Sequence, residues 1–526
     1  MTESVCLRHT EIPHTSQLFS DFQYHFDRVA RFYAGQPGDA TSYATAAKKI
    51  QFPAERRSEL VAALRPRNGD SASLSLLARP ETVAVVTGQQ VGLFGGPAYT
   101  IYKALTAAHL AAQLTGQGIP AVPLFWLPTE DHDFAEVNHT YVFGPDHRPI
   151  KLSVDGPDQG EQPVGAIPIA SPPLDRLKEV ISAFPYAKDV LGIVREAYQP
   201  GTTFGAAFHG LLQRLLAKYD LLFLDPLDPA VRRLAAPVLR EAVRHDDQLH
   251  GKLLQQNKDL ETAGYHAQVH LEPKTSLFFL LEGGRRFALR RQNGDYISKE
   301  RRYSPQELID RAEHLSPNAV LRPVVQDSVL PTLAYVGGPA ELAYLAQSQV
   351  LYGDLIGRMP ITLARSGFTL LDARTSKLMK RYGLALPVFF HGEDRVREAI
   401  AQKLIPETLV REFNEIREST THSLERLRDH LVAFDETLAS AAGKSRAKIL
   451  YQLSKIEHKT ARETLNRNQR AGEEASYMSG LIFPEKHLQE RLYSILPFLA
   501  KHGPGLIDTL YERIHLDCPD HKVLVV

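Results

Sequence analysis

Apolar positions along the chain recur with three different periods. Between residues 15 and 35, Leu18, Phe22, Phe26, Val29 and Phe32 or Tyr33 stand three and four apart, which predicts an amphipathic helix. The run Val83–Val86 is a short β-branched block that meets a glycine-rich turn, Thr87 to Pro97, and the alanine- and leucine-rich helical pattern of residues 98–114. After Gly116 and Gly118, AVPLFWLP (121–128) reads as a second buried strand. Two continuously apolar strands joined through a helix require a parallel sheet with helices on its faces, so the fold class is α/β. The alternation continues with a helix over 204–219, a strand in LLFLDP (221–226) and an antiparallel hairpin around Glu282-Gly283-Gly284. Residues 319–347 read as strand, loop, strand to Val336, and a helix opened by Gly337-Gly338-Pro339.

The period changes after about residue 393. Phe413, Ile416, Thr420, Leu424, Leu427, Leu431, Phe434 and Leu438 form a heptad seam, interrupted by SAAGKS (440–445) and resumed at Ile449, Leu453 and Ile456. This predicts an antiparallel helical hairpin that turns near Gly443. Its apolar stripe is covered either by the chain's own core or by a second subunit. Residues 479–503 are apolar again and are expected to rejoin the body. The divisions are therefore a core over 1–392, a coiled-coil hairpin over 393–470 and a returning segment over 471–526.

Charge narrows the function classes. Lys+Arg and Asp+Glu are both 61 in 526 residues, so the surplus of cations that coats nucleic acid is absent. No run reaches the roughly 18 apolar residues of a membrane helix, and the N-terminus lacks a basic segment followed by an apolar one, so a cytoplasmic protein is expected. Two cysteines, Cys6 and Cys518, exclude a disulfide scaffold and become neighbours only if the termini meet.

Three segments carry candidate chemistry. In the first, Gly88, Gly92, Gly95 and Gly96 allow close backbone approach, while Thr87, Gln89 and Gln90 supply neutral donors and acceptors. Tyr99 and Lys103 follow on one helical face, so Lys103 is a candidate partner for a carboxylate or phosphate at the helix N-terminus. The other explanation is a tight turn whose glycines serve geometry alone. The second segment, PTEDHDFAEVNH (128–139), holds Glu130, Asp131, His132, Asp133, Glu136 and His139 at a strand C-terminus. A helix over 132–139 would align His132, Glu136 and His139. Such a cluster serves acid–base work and amine recognition, or a zinc or manganese site, or merely caps a helix. The third segment places Glu341 in the first turn after Gly337 and Gly338, with Arg365 after ITLA as a candidate carboxylate clamp.

Taken together, VVTGQQVGLFGGPAYTIYKA, FWLPTEDHDFAEVNH, AYVGGPAELAYLAQ and ITLARSGFTLLD resemble the bacillithiol biosynthesis cysteine-adding enzymes, from about residue 10 to the C-terminus. That resemblance implies a Rossmann-type parallel-sheet core with inserted connecting segments and a coiled coil that mediates homodimerisation. It also implies a ligase that joins L-cysteine to glucosaminyl-malate in the last step toward bacillithiol, with ATP or ADP as a possible cofactor and no metal. HIGH and KMSKS stretches and a zinc-binding cysteine cluster are absent. In that setting Glu130, Asp131, Asp133 and Glu136 suit an ammonium or sugar hydroxyls, and His132 is the expected proton acceptor. The alternative is a metal-dependent hydrolase of an amide or sugar derivative using His132, Asp133, Glu136 and His139.

Overall fold

A computed structural model describes residues 4–156, 160–299 and 301–526. Its centre is a five-stranded parallel sheet of β1 (Val83–Gly88), β2 (Ala121–Trp126), β3 (Leu222–Leu224), β4 (Thr332–Gly337) and β5 (Ile361–Ala364), ordered 5-4-1-2-3. Every residue of β1, β2 and β4 is buried, because helices cover both faces. On one face Phe125 and Phe223 pack with Ile101 and Leu105; on the other, Ala84, Val86, Leu124 and Trp126 pack with Leu234 and Leu239. Helix α1 (Tyr99–Gly116) links β1 to β2, and α2 (Pro339–Leu355) links β4 to β5. The Rossmann-like parallel core is thus present.

Two smaller sheets frame the core. The hairpin expected around Gly283 is the centre of a five-stranded antiparallel sheet, Thr275–Glu282 against Arg285–Gln292. A three-stranded sheet joins the chain ends: Ser4–Leu7 runs antiparallel to His521–Val525, which runs parallel to Phe368–Leu371. The returning segment packs onto the core, with Leu481, Leu496, Phe498 and Leu499 buried in the same cluster as Phe125.

Three sequence expectations need correction. Residues 15–35 are not one helix but short pieces, Gln17–Tyr24 and Phe26–Val29 and a final turn. Arg322–Val329 is helical rather than extended, with Pro323 in its first turn, where the missing N–H costs nothing. The hairpin helices are α3 (Glu407–Val432) and α4 (Glu436–Asn466), so the chain turns at residues 433–435 and Gly443 lies inside α4. Asp435 makes the turn: its carboxylate accepts from the backbone N–H of Thr437 at 2.7 Å and of Leu438 at 3.1 Å. The heptad spacing runs straight through this cap and hides it. Arg417–Glu457 and Arg446–Glu425 pair across the hairpin, while Ile416, Leu427, Phe434, Ile449 and Ile456 stay exposed.

Candidate functional site

The chain leaves β1 toward β2 and leaves β4 toward β5, so the connections from two adjacent strands diverge. Their C-terminal ends are the place where open α/β sheets bind ligands in a crevice. Gly88-Gln89-Gln90 and Gly337-Gly338 both lie there.

The glycines answer to backbone geometry. A Cβ on Gly88 would stand 2.8 Å from the Trp126 carbonyl oxygen, and Gly95 and Gly96 have φ of +85° and +65°. The turn also consumes its own donors. Gly95 N–H donates to Gly92 O, Gly96 N–H to Leu93 O, Ala98 N–H to Tyr493 O at 2.7 Å, and Thr100 N–H to Pro97 O. Gly338 N–H donates to the Glu341 carboxylate at 2.8 Å. The N–H groups of Gly95, Gly96, Ala98, Thr100 and Gly338 are therefore already used within the chain. Thr87 likewise faces the sheet, its hydroxyl donating to Val336 O at 2.8 Å.

Lys103 and Glu341 form a buried ion pair across the crevice floor, tying α1 to α2. Lys103 is 2% exposed and also donates to Gly88 O at 2.9 Å and Gln89 Oε1 at 2.8 Å. Tyr335 donates to Glu341 at 2.6 Å. Burial pushes the Lys103 ammonium down, and Glu341 opposes that shift. Burial would raise Glu341, but Lys103, the Tyr335 hydroxyl and Gly338 N–H together outweigh it and the carboxyl ends below its ordinary value. Lys103 is thus committed inside the protein, not presented to a carboxylate or phosphate. Arg365 is committed in the same way: Glu490 holds its guanidinium at 3.0 and 2.5 Å. Tyr99 lies between the two cations, 5.8 Å from Lys103 and 5.0 Å from Arg365, and its hydroxyl accepts from Gln89 Nε2 at 3.1 Å.

The second turn, after β2, meets the first directly. Gln90 Nε2 donates to the Asp131 carboxylate at 2.6 Å, so the glutamines and the acidic stretch share one site. The Gln90 side-chain carbonyl oxygen is buried without a partner. Asp131 further accepts from His132 N–H at 2.7 Å and lies 3.4 Å from Arg286. Burial would raise its carboxyl, yet His132, Arg286 and Gln90 together hold it well below the usual carboxylate range. Glu130 is buried 3.7 Å from Arg232, and burial raises it despite Arg286 and Arg232.

Arg286 escaped the sequence reading. It comes from the antiparallel sheet, lies over the Phe279 ring at 3.8 Å, and donates to Ser316 Oγ and Pro317 O, both at 2.9 Å. The available signal was its place in RRFALRR, where strand alternation turns one of two adjacent arginines inward. Its remaining amino group is 2.9 Å from His132 Nδ1. A guanidinium only donates, so Nδ1 accepts and the ring proton sits on Nε2. With Nδ1 turned to Arg286, Nε2 is the remaining polar atom of the imidazole.

The acidic stretch is not a helix over 132–139. Only Phe134–Val137 is helical, capped by Asp133, whose carboxylate accepts from Glu136 N–H at 3.2 Å. His139 opens the following strand and lies against Asn138. His132, Glu136 and His139 therefore share no helical face, and among the described residues no group of three or more His, Cys, Asp or Glu side chains is arranged to hold a metal. Glu136 stays at the crevice mouth, its carboxyl raised by burial and by the charges of Asp131 and Asp133.

Comparison with known families covers nearly the whole chain. Residues 5–366 match the N-terminal Rossmann-like domain of bacillithiol biosynthesis BshC, and residues 368–526 match its C-terminal coiled-coil domain. A protein of Solibacter usitatus named "Putative cysteine ligase BshC" is 53% identical over 521 residues, 99% of each chain. Proteins of the same name from Koribacter versatilis and Salinibacter ruber are 36% and 31% identical, covering 99% and 97% of this chain and 99% and 96% of their own. The parallel sheet, the two converging turns and the helical hairpin are accordingly those of a member of the bacillithiol biosynthesis BshC family, to which this chain belongs.

Proposed function

We propose that the protein is a ligase that joins the carboxyl group of L-cysteine to the amine of glucosaminyl-malate, the last step of bacillithiol synthesis. The observation that carries this reading is the 2.6 Å contact between Gln90 and Asp131, which merges an amide-lined wall and an acid–imidazole wall into one crevice. Amide formation needs a substrate ammonium to be held, deprotonated and brought to an activated carboxyl. Asp131, kept ionised, and the unpartnered Gln90 carbonyl suit an ammonium or sugar hydroxyls. Glu136 is the group suited to take the amine proton, because its raised carboxyl makes it a stronger base than an ordinary glutamate. His132, with a donor on Nε2, suits the oxyanion that develops as the amine attacks.

ATP or ADP is the activator that the family resemblance implies. The N–H groups of Ala98, Thr100 and Gly338 beside this crevice donate within the chain, and no step is routed through a nucleotide. The exposed stripe Ile416, Leu427, Ile449 and Ile456 supports a homodimer through the coiled coil.

The test is product formation by purified protein given L-cysteine, glucosaminyl-malate and ATP, read by mass spectrometry of the thiol product. Turnover is expected, and it is expected to vanish in His132→Ala and Gln89→Ala while the oligomeric state is kept. Both variants working at the parent rate would remove the crevice from the reaction. No product from folded parent protein would remove the ligase reading.

A further inference from the structure

Cys6 and Cys518 are the only cysteines among 526 residues, and 512 positions separate them. The fold brings their sulfur atoms to 3.7 Å. Cys6 lies on Ser4–Leu7, opposite Lys522 in the antiparallel ladder, and Cys518 sits four residues earlier, in the loop that leads into His521–Val525. The ladder and a hydrogen bond from Cys518 N–H to His515 O, 3.2 Å, fix the two backbones in register. Cys6 is exposed and Cys518 partly so, which leaves both open to a small reagent. Closing 3.7 Å to the roughly 2.05 Å of a disulfide is within the reach of side-chain rotation. Cys518 also lines a cleft of about 530 Å³ whose wall includes Arg365 and Ser366.

We infer that Cys6 and Cys518 are a dithiol modification site that a low-molecular-weight disulfide converts to an intrachain disulfide. One protein thiolate attacks the reagent RSSR, forming a protein–SR mixed disulfide and expelling RS⁻, which takes up the proton given up by the attacking thiol. The second protein thiol loses its proton, attacks the protein sulfur of the mixed disulfide and expels the other RS⁻, which is protonated in turn. Two protein S–H groups and one RSSR become one protein S–S bond and two RSH. The bond closes the chain into a ring from residue 6 to residue 518 and fastens the rim of the Arg365 cleft. Ring closure restricts the unfolded chain, so the oxidised protein unfolds at a higher temperature than the reduced one.

The experiment uses the full-length protein, reduced, desalted and incubated with excess glutathione disulfide. The expected result is an intact mass lower by about 2 Da with no retained glutathione, one peptide pair linked through Cys6 and Cys518, and an upward shift in the thermal midpoint that a reductant reverses. In Cys6→Ser and Cys518→Ser the remaining sulfur keeps one glutathione, because no second thiol displaces it. Stable glutathione on both sulfurs of the parent, a bond between two chains, or a reduced mass that persists at saturating glutathione disulfide each overturns the proposal.

Discussion

At the scale of single residues, the site is governed by who is already paired. Lys103 and Arg365 looked in sequence like free cations for an anionic substrate, but burial required each to carry its own carboxylate, Glu341 and Glu490. Sequence spacing reveals a basic residue and says nothing of the acid that meets it from 238 or 125 positions away. Glu136, at the mouth, gives a test by pH. A base acts only when deprotonated, so kcat/KM should fall as pH drops through a value above the ordinary 4.5 of a glutamate, and Glu136→Gln should remove both that limb and most of the turnover. The pH–rate profiles of parent and variant check this. The residues that were legible, Gln89, Gln90, Asp131 and His132, lie in turns directly after strands, where local sequence decides position. Arg286 arrives from a different sheet, and nothing within its own segment announces its target.

His521 carries a second pH signal. It is buried beside Thr369, 2.8 Å away, and burial lowers its imidazole from 6.5 to about 4. Between those values the unfolded chain binds the proton and the folded one does not, so stability falls as pH drops from about 6.5 toward 4, by on the order of 3 kcal/mol. Urea unfolding across that range should show the loss, and His521→Gln should flatten part of it.

At the scale of elements, the parallel strands were readable because each is apolar throughout and ends in turn residues. The hairpin helices were readable by period, while their reversal was not, since a heptad count is blind to the capping carboxylate of Asp435. Asp435→Ala should lower hairpin stability by removing the cap on Thr437 and Leu438 N–H, measured by thermal unfolding. The exposed stripe has its own consequence. Leu427→Glu with Ile456→Glu places charge on the face proposed to pair, and sedimentation should show a monomer in place of a dimer with the fold intact.

At the scale of the whole molecule, the core and the returning segment are joined by polar groups as well as by apolar packing. Arg365, just past β5, and Glu490, from the returning segment, are 7% and 3% exposed in their side chains, and Glu490 also accepts from Phe368 N–H at 2.9 Å. Arg365→Met strands a buried carboxylate and should cost roughly 3–5 kcal/mol. Adding Glu490→Gln should restore part of it, a coupling that denaturant titration of the two single variants and the double variant measures. The edge sheet carries this joining to the ends of the polypeptide. His521–Val525 is its middle strand, with Ser4–Leu7 on one side and Phe368–Leu371 on the other. Both outer strands therefore wait for a segment that follows them in the chain, and neither has its partner until His521–Val525 has been made. A chain truncated ahead of His521 would leave Ser4–Leu7 with nothing to pair with.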